Sequence, residues 1–201
     1  MKKMVLASNN KGKLAELQAM FAPLGWQLIA QAELNISEAE EPFHTFVENA
    51  LAKARHASRL SGLPALADDA GLCVDAFNGL PGVQTAFYCT QFGYEKSDDN
   101  NRRALLEQMK DITQRRAALV STLVAVRHAD DPEPLIASGR AVGEITRELR
   151  GDKGFGFDPV MFIPEMNMTF AEMSEAEKNA RSHRGQAARL MVELMQQRWQ
   201  T

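Results

Sequence analysis

Two adjacent carboxylates, Asp68 and Asp69, follow a short apolar run and could bind a metal ion or take part in catalysis. Residues 63–67 predict a buried strand, and Gly71 predicts that the chain turns soon after the pair. Ligands bind at such strand ends in open α/β sheets. Neighbouring carboxylates repel each other unless one is protonated or a cation lies between them, and Mg²⁺ prefers oxygen ligands. The pair therefore indicates either a Mg²⁺ site, if the strand breaks there, or an acidic turn in solvent.

A polar turn after the first predicted strand, residues 4–8, is a candidate phosphate site. Apolar residues at helical spacing follow it, so the turn opens a helix. Free N–H groups and the positive dipole end of a helix bind phosphate, and lysines there oppose the dipole unless an anion is present. The spacing is not that of a Walker A motif, and Asn10 could simply be the N-cap. The residues of this turn are Ser8, Asn9, Asn10, Lys11, Gly12 and Lys13.

A helix that carries a lysine within an apolar stripe leads directly to the two aspartates. Thr45 and Glu48 have capping-box spacing, so the helix is expected to begin there and to run to about residue 60. Lys53 either extends past the apolar surface to solvent or points into a charged cleft beside the aspartates. The acidic segment 33–41 before the helix is expected to form a loop, and it contains Glu41.

The second half of the chain contains a glycine- and phenylalanine-rich segment, residues 151–159. Phe155 and Phe157 either offer a face to a flat ring or join the core. A capping box begins a short helix with Lys178, and a last helix begins near His183 and Arg184. This last helix start could hold an anion or a polar heterocycle, although such residues are often only surface residues.

The remaining apolar runs predict the fold class, which is α/β with a long, twisted, mixed central sheet flanked by helices. The first half alternates strands and helices, whereas the second half suggests consecutive antiparallel strands, so two lobes with a cleft between them are expected. Residues 135–149 contain two glycines, which suggests a hairpin or a bulged strand. Further strands are expected at residues 26–30, 71–77, 117–126 and 160–163, a mobile loop at 90–101, and a helix at 101–110.

Length, composition and charge limit the functional class. The 201 residues, of which 45% are hydrophobic, are enough for one domain (1–201) with a sizeable core. The net charge of −3 argues against a nucleic-acid partner. Cys73 and Cys89 lack metal-site spacing, which favours the reducing cytoplasm. The apolar run at the start is too short for a signal peptide, and no run reaches membrane length.

Taken together, the motifs resemble those of the inosine/xanthosine triphosphate pyrophosphatase family, the Ham1 or RdgB-like proteins. The resemblance implies an ITPase-like fold and a Mg²⁺-dependent cytoplasmic homodimer. Such an enzyme hydrolyses ITP, dITP, XTP and dXTP to the monophosphate and pyrophosphate, which cleanses the nucleotide pool. The matching segments are Ser8-x-Asn10-x-x-Lys13, Glu41, Phe46-x-Glu48-Asn49-Ala50-x-x-Lys53-Ala54, Ala67-Asp68-Asp69-x-Gly71-Leu72, Pro81-Gly82, Gly154-Phe155-Gly156-Phe157-Asp158-Pro159 and Lys178-x-x-x-Ser182-His183-Arg184-Gly185.

The resemblance also implies roles for particular residues. Asp69 would be the proton acceptor and a metal ligand, with Glu41 and Asp68 completing the metal site. Lys13 and Lys53 would act on the triphosphate in catalysis. The other substrate-binding positions would be Ser8, Asn9, Asn10, Lys11, Gly12, Ala70, Phe155, Gly156, Phe157, Asp158, Lys178, His183 and Arg184.

Three positions depart from the family pattern, which usually has serine at Ala70, tyrosine at Phe157 and arginine at Phe87. Losing the serine hydroxyl and the arginine removes two polar groups from or near the expected cleft, so rate or substrate preference could differ. One alternative is a pyrophosphatase for other nucleotides, similar to the Maf-type proteins that share the general architecture. A second alternative, motivated by Ala70 and Phe87, is a nucleotide-binding module without catalysis.

Overall fold

A mixed sheet with helices forms the framework of the computed structural model, which describes residues 2–199. Within that range the strands are Lys2–Leu6 (β1), Trp26–Ala30 (β2), Ala65–Val74 (β3), Arg116–Val126 (β4), Leu135–Ile145 (β5), Met161–Ile163 (β6) and Met168–Thr169 (β7). The helices are Lys11–Phe21 (α1), Phe46–Ser61 (α2), Asp98–Gln108 (α3), Glu175–Arg181 (α4) and His183–Arg198 (α5). The strand order is β2-β1-β3-β4-β5-β6-β7. β1 pairs in parallel with β2 and β3, whereas β6 is antiparallel to β5 and β7, so the predicted mixed α/β class is confirmed.

The first of two compact units contains residues 2–69, 121–139 and 183–199 of the described chain. Its strands place successive side chains in two different apolar clusters, as the pleat requires. Leu6 and Leu66 belong to a cluster with residues of α1 and α5, whereas Val5 and Ala67 belong to a cluster with the alanines of α2. The strands of this unit are therefore covered by helices on both faces.

The second unit contains residues 70–120 and 140–182. Its core includes Leu72 and Val74 of β3, Leu105 of α3, Met161 of β6 and Phe170, all of which are fully or almost fully buried. A long 3₁₀ segment, Gly82–Phe92, precedes α3. Because this segment ends at Phe92 and α3 begins at Asp98, the loop predicted for residues 90–101 is limited to residues 93–97.

One expectation about the two aspartates was also wrong, because the chain does not turn at Gly71. β3 runs unbroken from Ala65 to Val74, and residues 71–77 do not form a separate strand. Burial of Leu72 and Val74 in the core favours continued extended backbone, which glycine also adopts. Asp68 and Asp69 therefore lie in the middle of one strand and point to opposite faces of it.

β5 is another unbroken strand where a hairpin or bulge was expected. Both of its glycines lie where other backbone segments approach closely. A Cβ on Gly139 would lie 2.0 Å from the carbonyl oxygen of His183, and one on Gly143 would lie 2.1 Å from that of Phe162. The glycines therefore permit close packing and do not mark a turn.

Helix starts agree well with the sequence. Thr45, Ser97 and Ser174 are N-caps whose side chains accept backbone N–H groups, and Ser174 with Glu177 forms the predicted capping box. α2 ends at Ser61, close to the expected residue 60. α3 begins three residues earlier than predicted, with Ser97 as its N-cap. Among the described residues, no helix is both long and apolar enough to cross a membrane.

Candidate active site

The turn between β1 and α1 forms part of a polar cavity of about 190 Å³ in the first unit. Asn10 is the N-cap of α1, since its Oδ1 accepts the N–H of Lys13 at 3.0 Å. Ser8 Oγ accepts the N–H of Asn10 at 3.2 Å, which holds the turn in shape. The capping interpretation of Asn10 is thus correct, and it leaves the turn available for an anion. The cavity is lined by Ala7, Ser8, Asn9, Asn10, Lys13, Gln31, Glu38, Ala39, Glu41, Lys53 and Asp68.

Lys53 joins two of the predicted site carboxylates. Its Nζ lies 2.7 Å from Asp69 Oδ1 and 2.9 Å from Glu41 Oε2, and its side chain is only 12% exposed. Asn49, one helical turn earlier on α2, hydrogen-bonds both the N–H and the carbonyl of Phe43, each at 3.1 Å. Asn49 thereby anchors the loop that carries Glu41. Lys53 therefore faces two carboxylates and Asn49 faces a loop, and neither side chain extends into bulk solvent.

Asp68, whose side chain is fully buried, lies in a second charge network. Its Oδ1 accepts the hydroxyl of Ser121 at 2.6 Å, and its Oδ2 lies 3.0 Å from Lys13 Nζ and 2.9 Å from Arg184 Nε. Arg184 Nη1 also donates to Glu16 Oε2 at 2.7 Å. Because an isolated buried carboxylate is very costly, these partners make its charge tolerable and fix the position of Lys13.

Burial and neighbouring charges shift the pKa values of these groups in different directions. Burial raises the pKa of the Asp69 carboxyl above its ordinary value, although Lys53 acts against this shift. Burial disfavours the charge on Asp68, but Lys13 and Arg184 outweigh it and hold its pKa well below the usual range. Burial lowers the pKa of Lys13, whereas Asp69 and Glu41 raise the pKa of Lys53 despite burial. The two adjacent aspartates are thus suited to different tasks, since Asp69 accepts a proton more readily.

The predicted metal ligands fit a divalent cation only in part. No group of three or more His, Cys, Asp and Glu side chains in residues 2–199 is arranged to hold a metal ion. However, Asp69 Oδ2 is buried without a hydrogen-bond partner, and the Glu41 side chain is 45% exposed. An orphaned carboxylate oxygen requires a cation or a water molecule. Asp69 and Glu41 therefore suit a cation, while both oxygens of Asp68 already have partners.

The glycine-rich loop of the second unit is held by charged side chains. Asp158 Oδ2 accepts the N–H of Phe155 at 2.9 Å and lies 2.8 Å from Lys178 Nζ, which sits 4.7 Å from the centre of the Phe155 ring. Gly154 has φ +75°, and a Cβ there would lie 2.1 Å from Asp158 Oδ2. Only glycine fits this position, so the loop backbone closes tightly around the carboxylate.

Other predicted substrate contacts lie in varied surroundings. Phe157 is 4% exposed and packs in the core, as the alternative interpretation of this residue proposed. Ala70 lies within β3, and Phe87 lies in the 3₁₀ segment, 48% exposed, with Lys96 Nζ 3.9 Å from its ring centre. Lys11 and Gly12 form the first turn of α1, and His183 is buried at the start of α5.

Sequence reasoning missed Ser121 and Glu16 as partners in the site. Ser121 and Thr122 are polar residues within the apolar stretch of β4, and this was the one available signal for the role of Ser121. No sequence signal indicated a role for Glu16, because glutamate is common on helix surfaces. Arg184 was predicted as a base contact, yet it lies 3% exposed with its guanidinium between Asp68 and Glu16.

Fold and site together define an α/β protein with a lysine–carboxylate cavity suited to a phosphorylated ligand. The chain belongs to the Ham1 family, whose sequence model matches residues 4–194. A relative from Albidiferax ferrireducens, named dITP/XTP pyrophosphatase, is 74% identical over 98% of this chain and 99% of its own. The corresponding protein of Burkholderia pseudomallei is 55% identical over 94% of this chain and 91% of its own. The structure of a HAM1 protein from Coxiella burnetii, 42% identical, matches 98% of this chain and all of its own with a TM-score of 0.90.

Proposed function

We propose that the protein is a nucleoside triphosphate pyrophosphatase that hydrolyses deaminated purine nucleotides, namely dITP, ITP, XTP and dXTP. The products are the nucleoside monophosphate and pyrophosphate. The observation that carries the proposal is the placement of Lys13 and Lys53 around one cavity, with Asp69 held against Lys53. The dITP/XTP pyrophosphatase names of relatives that match nearly the full chain support the substrate class.

In the proposed mechanism, Asp69 acts as general base toward a water molecule that attacks the α-phosphorus. Lys53 holds its Oδ1, and the buried Oδ2 has no hydrogen-bond partner, so this oxygen is available to a water molecule or to a cation. The raised pKa of the Asp69 carboxyl makes it a better proton acceptor than an ordinary aspartate. Lys13 and the turn at Ser8–Asn10 bind the triphosphate and stabilise the charge that develops on the leaving pyrophosphate.

Mg²⁺ is the proposed cofactor, with Asp69 and Glu41 as its principal ligands and Asp68 as the weaker candidate. When bound, it would neutralise charge on the triphosphate. Lys53 holds both principal carboxylates near each other before any cation arrives. Asp68 instead secures Lys13 through their 3.0 Å ion pair.

The resemblance implies that selectivity for the base depends on Phe155, Gly156, Asp158 and Lys178, together with His183 and Arg184. Donors that pair with a 6-oxo group would be left unsatisfied by the 6-amino group of adenine, so ATP is expected to be a poor substrate. Phe157, which is buried in the core, would support the loop from behind.

The proposal includes a homodimer in the cytoplasm that removes deaminated nucleotides before a polymerase can use them. The net charge of −3 is consistent with small anionic substrates bound by local lysines and gives no support for a nucleic-acid partner. The exposed Leu80, Phe87 and Phe92 form apolar surface along one segment that a second subunit could cover.

Asp69→Asn tests the assigned general base. Pyrophosphate release from dITP should fall by at least about 100-fold, since the amide cannot accept the proton. Binding should persist: dITP at about 100 times its Kd should raise the Tm by about 5–10 °C in Mg²⁺ buffer. Release assays over a panel of nucleoside triphosphates, with and without Mg²⁺, measure the first effect, and thermal scans measure the second.

Asp130→Asn is the matched control, because Asp130 is an exposed aspartate whose side chain pairs with Arg59. This variant should retain full turnover. Near-normal release by Asp69→Asn would contradict the role of Asp69. For the unmutated protein, faster pyrophosphate release from dTTP or UTP than from dITP and XTP would favour a Maf-like activity. Binding of ITP by the unmutated protein without pyrophosphate release would favour a non-catalytic module.

A further inference from the structure

The loop that contains Phe155 and Gly156 is held from outside by one turn of helix α3. Asp98 Oδ2 accepts the N–H of Gly156 at 2.8 Å, and Arg102 Nη1 donates to the carbonyl of the same residue at 2.6 Å. Asp98 and Arg102 are four residues apart, so both side chains project from the same face of the helix. Both backbone polar groups of one loop glycine are thus bound by a single helical turn.

Gly156 needs such a restraint. Its φ of +60° is a left-handed conformation, and a Cβ at this position would have nothing within 4 Å. A glycine has no side chain that could anchor it, so the backbone hydrogen bonds to Asp98 and Arg102 restrain its position. The bonds to Asp98 and Arg102 are charge-assisted, which makes them stronger than ordinary backbone bonds.

Arg102 is itself fixed in place. Its side chain is only 14% exposed, and its guanidinium is paired with Asp99. Asp98 and Asp99 lie in the first turn of α3, where negative charge is favoured by the helix dipole. The helix therefore holds the side chains of Asp98 and Arg102 in place for their hydrogen bonds to the loop.

We propose that Asp98 and Arg102 are positioning residues for substrate selectivity, since they clamp Gly156 and thereby fix the orientation of Phe155. This inference rests on the proposed function, in which Phe155 contacts the base. Side chains restrain the loop at two neighbouring residues. Asp158, which belongs to the loop itself, accepts the N–H of Phe155, and Asp98 and Arg102 of α3, here called the α3 clamp, bind Gly156. Neither clamp residue contacts the reacting phosphate in this proposal, so they act on base binding and not on the chemical step.

Asp98→Ala and Arg102→Ala should raise the KM for dITP by about tenfold or more while changing kcat by less than about threefold. The KM for dATP, which is already poorly bound, should change much less, so selectivity falls. Asp98→Asn should largely rescue the loss, because its amide oxygen can still accept the Gly156 N–H. Arg103→Ala is the matched control, since Arg103 lies on the same helix but pairs with Glu107 at 3.0 Å.

Hydrogen exchange provides a readout that does not depend on activity. In Asp98→Ala the Gly156 amide should exchange at least about tenfold faster than in the unmutated protein, since a protecting hydrogen bond is lost. The Phe155 amide, bound by Asp158, serves as an internal reference. A Tm close to that of the unmutated protein would show that both variants are folded.

Unchanged exchange at Gly156 in Asp98→Ala would overturn the clamp. Faster exchange with unaltered KM values for all nucleotides would overturn its role in selectivity. If the unmutated protein releases no pyrophosphate from any nucleotide, the proposed function fails, and the exchange measurement alone then decides whether the clamp exists. Loss of kcat equal to the loss of kcat/KM in Arg102→Ala would also contradict a role in positioning the base.

Discussion

At the scale of single residues, the two adjacent aspartates show how position on a strand divides their chemistry. Asp68 is enclosed by Lys13, Arg184 and Ser121, so it remains charged and serves to hold a lysine. Asp69 has one strong partner, Lys53, and one oxygen without a partner. The same side-chain type is thus a fixed anion at one position and the proposed proton acceptor at the next.

Lys53→Met should shift the acidic limb of the pH profile of kcat/KM to higher pH. The proposed base must be deprotonated, so activity is complete above the raised pKa of Asp69 and is lost as the pH falls through it. Lys53 opposes that rise, and removing it therefore raises the pKa of Asp69 further. At neutral pH, kcat/KM should fall by about 100-fold or more, since a charge-stabilising lysine is also lost.

Rate profiles from acidic to neutral pH with dITP as substrate measure this shift. Lys110→Met removes an exposed lysine in the turn that follows α3 and is the matched control, with an unchanged profile expected. An acidic limb that stays in place in Lys53→Met would show that Asp69 is not the group that limits the rate.

At the scale of elements, close packing of β5 against α5 positions the start of that helix. The carbonyl of His183 and the N–H of Ala187 lie where a Cβ of residue 139 would be, at 2.0 and 2.7 Å. Both are backbone atoms, so no side-chain rotation could relieve a clash. The strand can therefore carry only glycine at this position if Arg184 is to reach Asp68.

Gly139→Ala should destabilise the protein by about 1–3 kcal/mol, because the helix start must move away from β5. For a chain of this length the Tm should fall by roughly 2–4 °C per kcal/mol. Turnover should fall as well, since Arg184 would no longer hold Asp68 in place. Ile136→Ala, a change on the same strand at a side chain that is 47% exposed, is the control. A Tm equal to that of the unmutated protein would argue against tight packing at this point.

At the scale of the whole molecule, the proposed assembly is a homodimer. Light scattering should therefore give a particle of twice the 22.3 kDa chain mass at micromolar concentration. In such a dimer, burial of the exposed apolar side chains of residues 80–92 would be one source of the stabilising free energy. A mass of one chain over the whole accessible concentration range would contradict the dimer.

The sequence by itself determined the family, the α/β class and most helix starts, and it selected Lys13, Lys53 and Asp69 for the site. These conclusions depend on local chemistry and on the order of motifs, such as the cap residues and the lysine within the apolar stripe of α2. The family model and the mixed sheet confirm the first two. The catalytic roles of the three residues stay predictions.

Only the tertiary structure decided which groups meet. Asp68 and Arg184 are 116 residues apart in sequence, and their pairing requires β3 and the start of α5 to come together. β3 continues past Gly71, so the two aspartates point to opposite faces of the strand. The local turn signal at Gly71 predicted otherwise, but the burial of Leu72 and Val74 in the core outweighs that signal. Likewise, Gly139 and Gly143 serve close packing with distant backbone, and no local pattern distinguishes that use from a turn.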